Sequence, residues 1–274
     1  MIYLILLSPL VGYLLYRLLN RLAGAARQRR RTALAAVEFP ASWRQLLRED
    51  FPLYRVLPPE LQQKLETHIK VFLGEKAFVG CNGFEITDEV RVLIAAQACL
   101  LILNNGDDYY PGFESILVYP ETYQAKVSRR EGYLQTDSVD TRAGESWHRG
   151  PVVLAWDQVW RGAIDSRDGH NVVMHEFAHK LDEENTVGAG LPLLPKRSQY
   201  RSWAAVLSEE YERLCRHRDD VIDGYGATSP AEFFAVVTEA FFEKPEQLQR
   251  KHPQLYRQFQ LYYQLDPAVW EHQG

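Results

Sequence analysis

The sequence predicts an α+β protein: a mainly helical domain with a small mixed sheet, preceded by an N-terminal hydrophobic helix. Three observations carry that reading. Several segments keep apolar residues at helical spacing, as in Leu61, Leu65, Ile69 and Phe72. Two short runs, residues 116–119 and 152–156, have the β-branched and aromatic composition of strands. The first 16 residues contain no charged side chain.

In chain order, residues 1–22 form the first expected helix. About 33 Å long, it is enough to cross a hydrocarbon core if Arg17 extends to the interface. Arg27, Arg29, Arg30 and Arg31 follow, and a basic cluster on that side predicts that the rest of the chain stays at the cytoplasmic face of the inner membrane. Residues 1–22 are therefore expected to be a membrane anchor, 23–39 a basic linker and 40–274 the main domain. A helix lying on the membrane is the alternative, with a purely cytoplasmic chain behind it. A secretory signal is disfavoured because no positive charge precedes the apolar run.

Within the main domain, Pro58-Pro59 starts a helix and residues 90–103 are apolar enough for a buried one. Asn104-Asn-Gly-Asp-Asp108 then forces a loop. After the strand at 116–119, residues 126–135 read as a hairpin, and 152–156 as a further strand. Helices are expected near 171–182, 200–217, 230–243 and 254–264.

The helix at 171–182 contains His175-Glu176-Phe-Ala-His179, the one short pattern here that specifies chemistry. Residues four apart share a helix face, so both imidazoles can reach one metal ion, and Glu176 can act as base toward a water on it. Val172, Val173, Met174, Phe177, Ala178 and Leu181 surround them with apolar surface, where unpartnered polar groups are costly. A catalytic zinc takes a third protein ligand. The metzincin pattern is not met, because Asp182 stands where glycine is needed and Asn185 where the third histidine would be. The remaining candidates lie on the helix at 230–243. Ser229, Pro230 and Glu232 form a helix-start signal, so Glu232 has a competing role as a capping carboxylate, and spacing alone divides the third ligand evenly between Glu232 and Glu239.

His175-Glu-Phe-Ala-His179-Lys-Leu-Asp182 together with Tyr225-Gly-Ala-Thr-Ser-Pro-Ala-Glu232-Phe-Phe-Ala-Val-Val-Thr-Glu239 resembles the Mlc titration factor A family of bacterial zinc peptidases. The motifs also bear a more distant resemblance to the catalytic domain of anthrax lethal factor, which implies a similar metal site. Gly112-Phe-Glu-Ser-Ile-Leu-Val-Tyr-Pro120 and Gly150-Pro-Val-Val-Leu-Ala-Trp156 extend the resemblance over roughly residues 40–270. It implies a zincin-like domain with one Zn2+ held by His175, His179 and Glu232, Glu176 as general base, and Tyr225 near the developing oxyanion. It also implies aminopeptidase-like activity on a peptide or protein substrate, with a regulatory role. Asp182 and Glu239 are candidates for orienting a histidine or anchoring a helix.

A second class of function stays open: a regulatory binding protein that sequesters a transcriptional repressor of the Mlc type, with a structural or weakly active zinc site. A hydrolase of non-peptide amides or esters is a third. Net charge of -5 argues against direct nucleic-acid binding, which needs a basic surface. Cys81, Cys99 and Cys215 lie too far apart in sequence for a C-x-x-C metal site and predict no disulfide framework.

Overall fold

The computed structural model describes residues 2–105, 108–121, 123–131, 134–142, 144–146, 150–185 and 190–270. It divides into two compact units, Met1–Phe39 and Pro40–Gly274.

The first unit is one helix, α1 (Ile2–Ala36). It does not end at residue 22. Segment 23–36, expected to be a linker, remains helical because its alanines, arginines and glutamine are good helix formers and no proline interrupts them. Among the described residues no helix is long and apolar enough to cross a membrane. The spanning anchor expected over 1–22 is therefore not supported. Physically, Arg17 and Arg21 break into the apolar pattern well before the helix ends.

The second unit opens with α2 (Ala41–Asp50), α3 (Pro52–Val56) and α4 (Pro59–Glu75), the last two each begun by a proline whose missing N–H costs nothing in a first turn. The expected stripe Leu65, Ile69 and Phe72 is buried. A strand not anticipated from sequence, β1 (Ala77–Gly80), follows, then α5 (Asp88–Leu101), capped by the Thr87 side chain and buried from Val92 to Leu101. The loop expected at 104–108 falls partly outside the described residues.

Next come β2 (Ser115–Tyr119), β3 (Tyr123–Glu131), β4 (Leu134–Arg142), β5 (Gly144–Ser146) and β6 (Val152–Ala155). β3 and β4 pair antiparallel as a separate ribbon, longer than the hairpin expected at 126–135, whose turn lies outside the described residues. The main sheet has the order β1-β2-β6-β5. Its first three strands are parallel, with Ile116 opposite Phe78 and Val152, and β5 closes it antiparallel to β6. All four residues of β6 are buried, as befits a strand covered on both faces.

The rest is helical: α6 (Trp156–Ile164), α7 (Val172–Glu183), α8 (Tyr200–Arg216), α9 (Pro230–Glu243), α10 (Pro245–Lys251) and α11 (Pro253–Tyr263). α7 packs against α9 and α5. Its Phe177 is fully buried, with ring centroids 5.8 Å from Phe72, 4.8 Å from Tyr110 and 5.7 Å from Phe113. α9 is fixed from its other side by Trp203 and Phe259, whose rings lie 6.0 and 5.6 Å from Phe234. Two rigidly packed helices thus carry the motif residues to a common face.

Candidate metal centre

α7 begins at Asn171, whose side-chain oxygen accepts the Met174 N–H at 3.0 Å and fixes the helix start four residues before His175. One turn separates His175 from His179, and their Nε2 atoms lie 3.2 Å apart. α9 starts at Ser229, which caps the Glu232 N–H at 3.2 Å. This leaves the Glu232 side chain one turn into the helix and directed at α7. Its Oε2 lies 2.9 Å from His175 Nε2 and 3.3 Å from His179 Nε2. The three residues offer ligand-type atoms all within 4.8 Å of one another, a set that one metal ion could bridge.

The surroundings favour a cation between them. His175 Nδ1 lies 2.8 Å from Glu239 Oε1, and a carboxylate there selects the tautomer with hydrogen on Nδ1. Nε2 then presents a lone pair toward Glu232 Oε2, which is buried and makes no hydrogen bond of acceptable direction. Lone pairs converging in a buried site repel unless a proton or a metal ion lies between them. The donor set, two imidazoles and a carboxylate with an open side, suits zinc.

The electrostatics agree. Burial opposes a charged His175, but the carboxylates of Glu232 and Glu239 outweigh it and hold its pKa well above the usual histidine range. Burial would raise Glu232, yet the two imidazoles pull it down to about 2. Glu176, next to the first histidine and only 6% exposed, is pushed up to about 7 by burial, with His175 and His179 opposing.

Tyr225 sits on a 3-10 turn, Gly224–Ala227, between α8 and α9. Asp223 Oδ1 accepts its backbone N–H at 2.7 Å. Its ring is 55% exposed and its centroid is 6.0 Å from that of His175, so it stands at the open side of the cluster. Asp182 faces elsewhere. Its two oxygens accept the Gly190 and Leu191 N–H groups at 2.8 and 2.7 Å, tying α7 to the chain at 190–191.

Sequence reading assigned no role to Asn171 or Glu243. The Asn171 N–H donates to Glu239 Oε2 at 2.6 Å, and its Nδ2 donates to Gly162 O at 2.9 Å and Glu243 Oε1 at 3.0 Å. Glu243 also accepts the Gly169 N–H at 3.0 Å, and burial holds its pKa well above the usual carboxylate range. A chain of contacts therefore runs from Glu243 through Asn171 and Glu239 to His175. Two signals for it were present: an asparagine just before an apolar helix, and two glutamates four apart on the facing one.

Comparison with known proteins gives the family. The family model described as glucose-regulated metallo-peptidase M90 matches residues 25–264. An uncharacterized protein of Synechocystis is 45% identical over 236 residues, covering 84% of this chain and 86% of its own. Mlc titration factor A of Klebsiella pneumoniae is 36% identical over 234 residues, covering 82% and 86%. Mlc titration factor A of an Escherichia coli strain is 34% identical over 234 residues, with the same coverage. With a family match spanning most of its length and these relatives, the chain belongs to the glucose-regulated metallopeptidase M90 family, together with the Mlc titration factor A proteins.

Proposed function

We propose that this chain is a zinc-dependent peptidase of aminopeptidase-like specificity. The observation that carries the reading is the convergence of His175, His179 and Glu232 on one point, with the buried Glu176 carboxyl beside it. A zinc ion held by those three residues supplies Lewis acidity toward a scissile carbonyl and lowers the pKa of a water toward neutrality.

The chain's own groups account for the proton transfers. Glu176, buried beside the two histidines, takes the proton of the attacking water and returns it to the departing amine. The Tyr225 phenol, at the open side, donates to the oxyanion of the tetrahedral intermediate. Glu239 holds the His175 ring by its Nδ1–H, leaving Nε2 as a ligand. Aminopeptidase specificity rests on the family resemblance. It is tested with matched peptides bearing free and acetylated N-termini: cleavage of the free forms alone supports it, and equal cleavage of both refutes it.

A regulatory role is the second reading. Two of the relatives carry a name that refers to Mlc, so a repressor of that type is the partner to test. Pull-down with Glu176→Gln separates the functions. Capture of the repressor by this variant, without peptidase activity, shows that binding stands apart from catalysis.

A further inference from the structure

In α1, Val11, Leu14, Leu15, Leu18, Leu19 and Leu22 are each 52–58% exposed. At 100° per residue they fall within a sector of roughly 140°. Tyr13, Tyr16, Arg17 and Asn20 occupy the other side, with Arg21 at the sector's edge, and the Arg17 guanidinium lies 5.8 Å from the centre of the Tyr13 ring. Residues 11–22 are thus divided into an aliphatic face and a face of aromatic and basic groups. Beyond Leu22 the exposed arginines Arg27 and Arg29 follow, and no acidic residue precedes Glu38. The chain as a whole carries a net charge of -5, so this basic character is local to the helix.

We propose that this face of α1 docks on an anionic lipid surface, with the helix lying in the plane of the interface. Six exposed aliphatic side chains on one side of a helix are unfavourable in water and favourable at the acyl boundary. Tyrosine and arginine are the residue types that place an apolar body or stem at that depth while their polar ends reach the headgroups. The run of arginines without a single acid complements anionic headgroups, which fixes the class of surface.

The test uses the full chain, sedimented with phosphatidylcholine vesicles with and without phosphatidylglycerol. The expected result is binding to the anionic vesicles only, released by high salt. Leu15→Gln with Leu18→Gln abolishes it, and Arg17→Gln with Arg21→Gln weakens it on the order of tenfold. Absence of binding to either vesicle overturns the proposal. So does equal retention on neutral vesicles at high salt, which means insertion across the bilayer. Lipid-free self-association that the leucine variants abolish overturns it in favour of a second copy, and a lowered unfolding midpoint in those variants shows the face packed on protein.

Discussion

Glu239→Gln tests how far the proposed metal centre depends on a residue outside its ligand set. The change is nearly isosteric, so packing around α9 is kept. Glu239 receives two donors, with Oε1 2.8 Å from His175 Nδ1 and Oε2 2.6 Å from the Asn171 N–H. A glutamine offers one oxygen and one NH2. If the oxygen serves Asn171, whose backbone N–H is buried, the NH2 faces Nδ1 and forces the opposite histidine tautomer. Nε2 then carries a hydrogen directed at the ligand position. Replacing such supporting groups lowers metal affinity about 10–100-fold, or about 1.4–2.7 kcal/mol. The assay is zinc competition against a chromophoric chelator at neutral pH, with circular dichroism to verify the fold. A variant that folds and binds zinc within about twofold of the unmodified chain refutes the reasoning.

Three further outcomes are expected. Tyr225→Phe lowers kcat on the order of a hundredfold while zinc affinity and unfolding midpoint stay unchanged, because Tyr225 is 55% exposed and the role proposed for it is toward the oxyanion alone; steady-state kinetics beside a melting curve checks this. Gly190→Ala destabilises by about 2–3 kcal/mol, since the residue has φ +72° and a Cβ would meet Pro230 O at 2.4 Å, at the start of the helix carrying Glu232; a denaturant titration reads it. Arg44→Met costs about 1–2 kcal/mol at pH 7, discounted because the Arg44 side chain is 34% exposed. Burial opposes ionisation of Glu66, but Arg44 at 2.7 Å and the Tyr54 hydroxyl at 2.7 Å outweigh it and lower its pKa. A depressed folded pKa stabilises above the unfolded value and the gain is lost as pH falls, so the difference between variant and unmodified chain shrinks from pH 7 to about pH 3.

What was legible in the sequence was local. The i, i+4 histidines with the intervening glutamate, the Ser229-Pro230 helix start and the apolar stripe of α4 need only neighbours within a turn or two. Spacing left Glu232 and Glu239 even, because they lie two turns apart on one face of α9. The fold separates them by crossing α7 so that one carboxylate meets Nε2 and the other Nδ1 of the same ring. Asp182 could not be placed from sequence, since its role depends on where the chain returns at Gly190 and Leu191. β1, at four residues, is too short to show an alternation, and its pairing with β2 is a non-local contact. The first helix runs on past residue 22 because a change from leucine to arginine marks a change of polarity and leaves helix propensity intact.

The central claim is that His175, His179 and Glu232 hold a zinc ion that Glu176 uses for hydrolysis. Its most direct test measures zinc content and peptide cleavage of the unmodified chain, Glu176→Gln and Glu232→Ala side by side. The account predicts about one zinc and activity in the first, zinc without activity in the second, and weakened zinc binding in the third. Zinc bound with no cleavage by the unmodified chain contradicts the catalytic claim, and full zinc affinity in Glu232→Ala contradicts the ligand assignment.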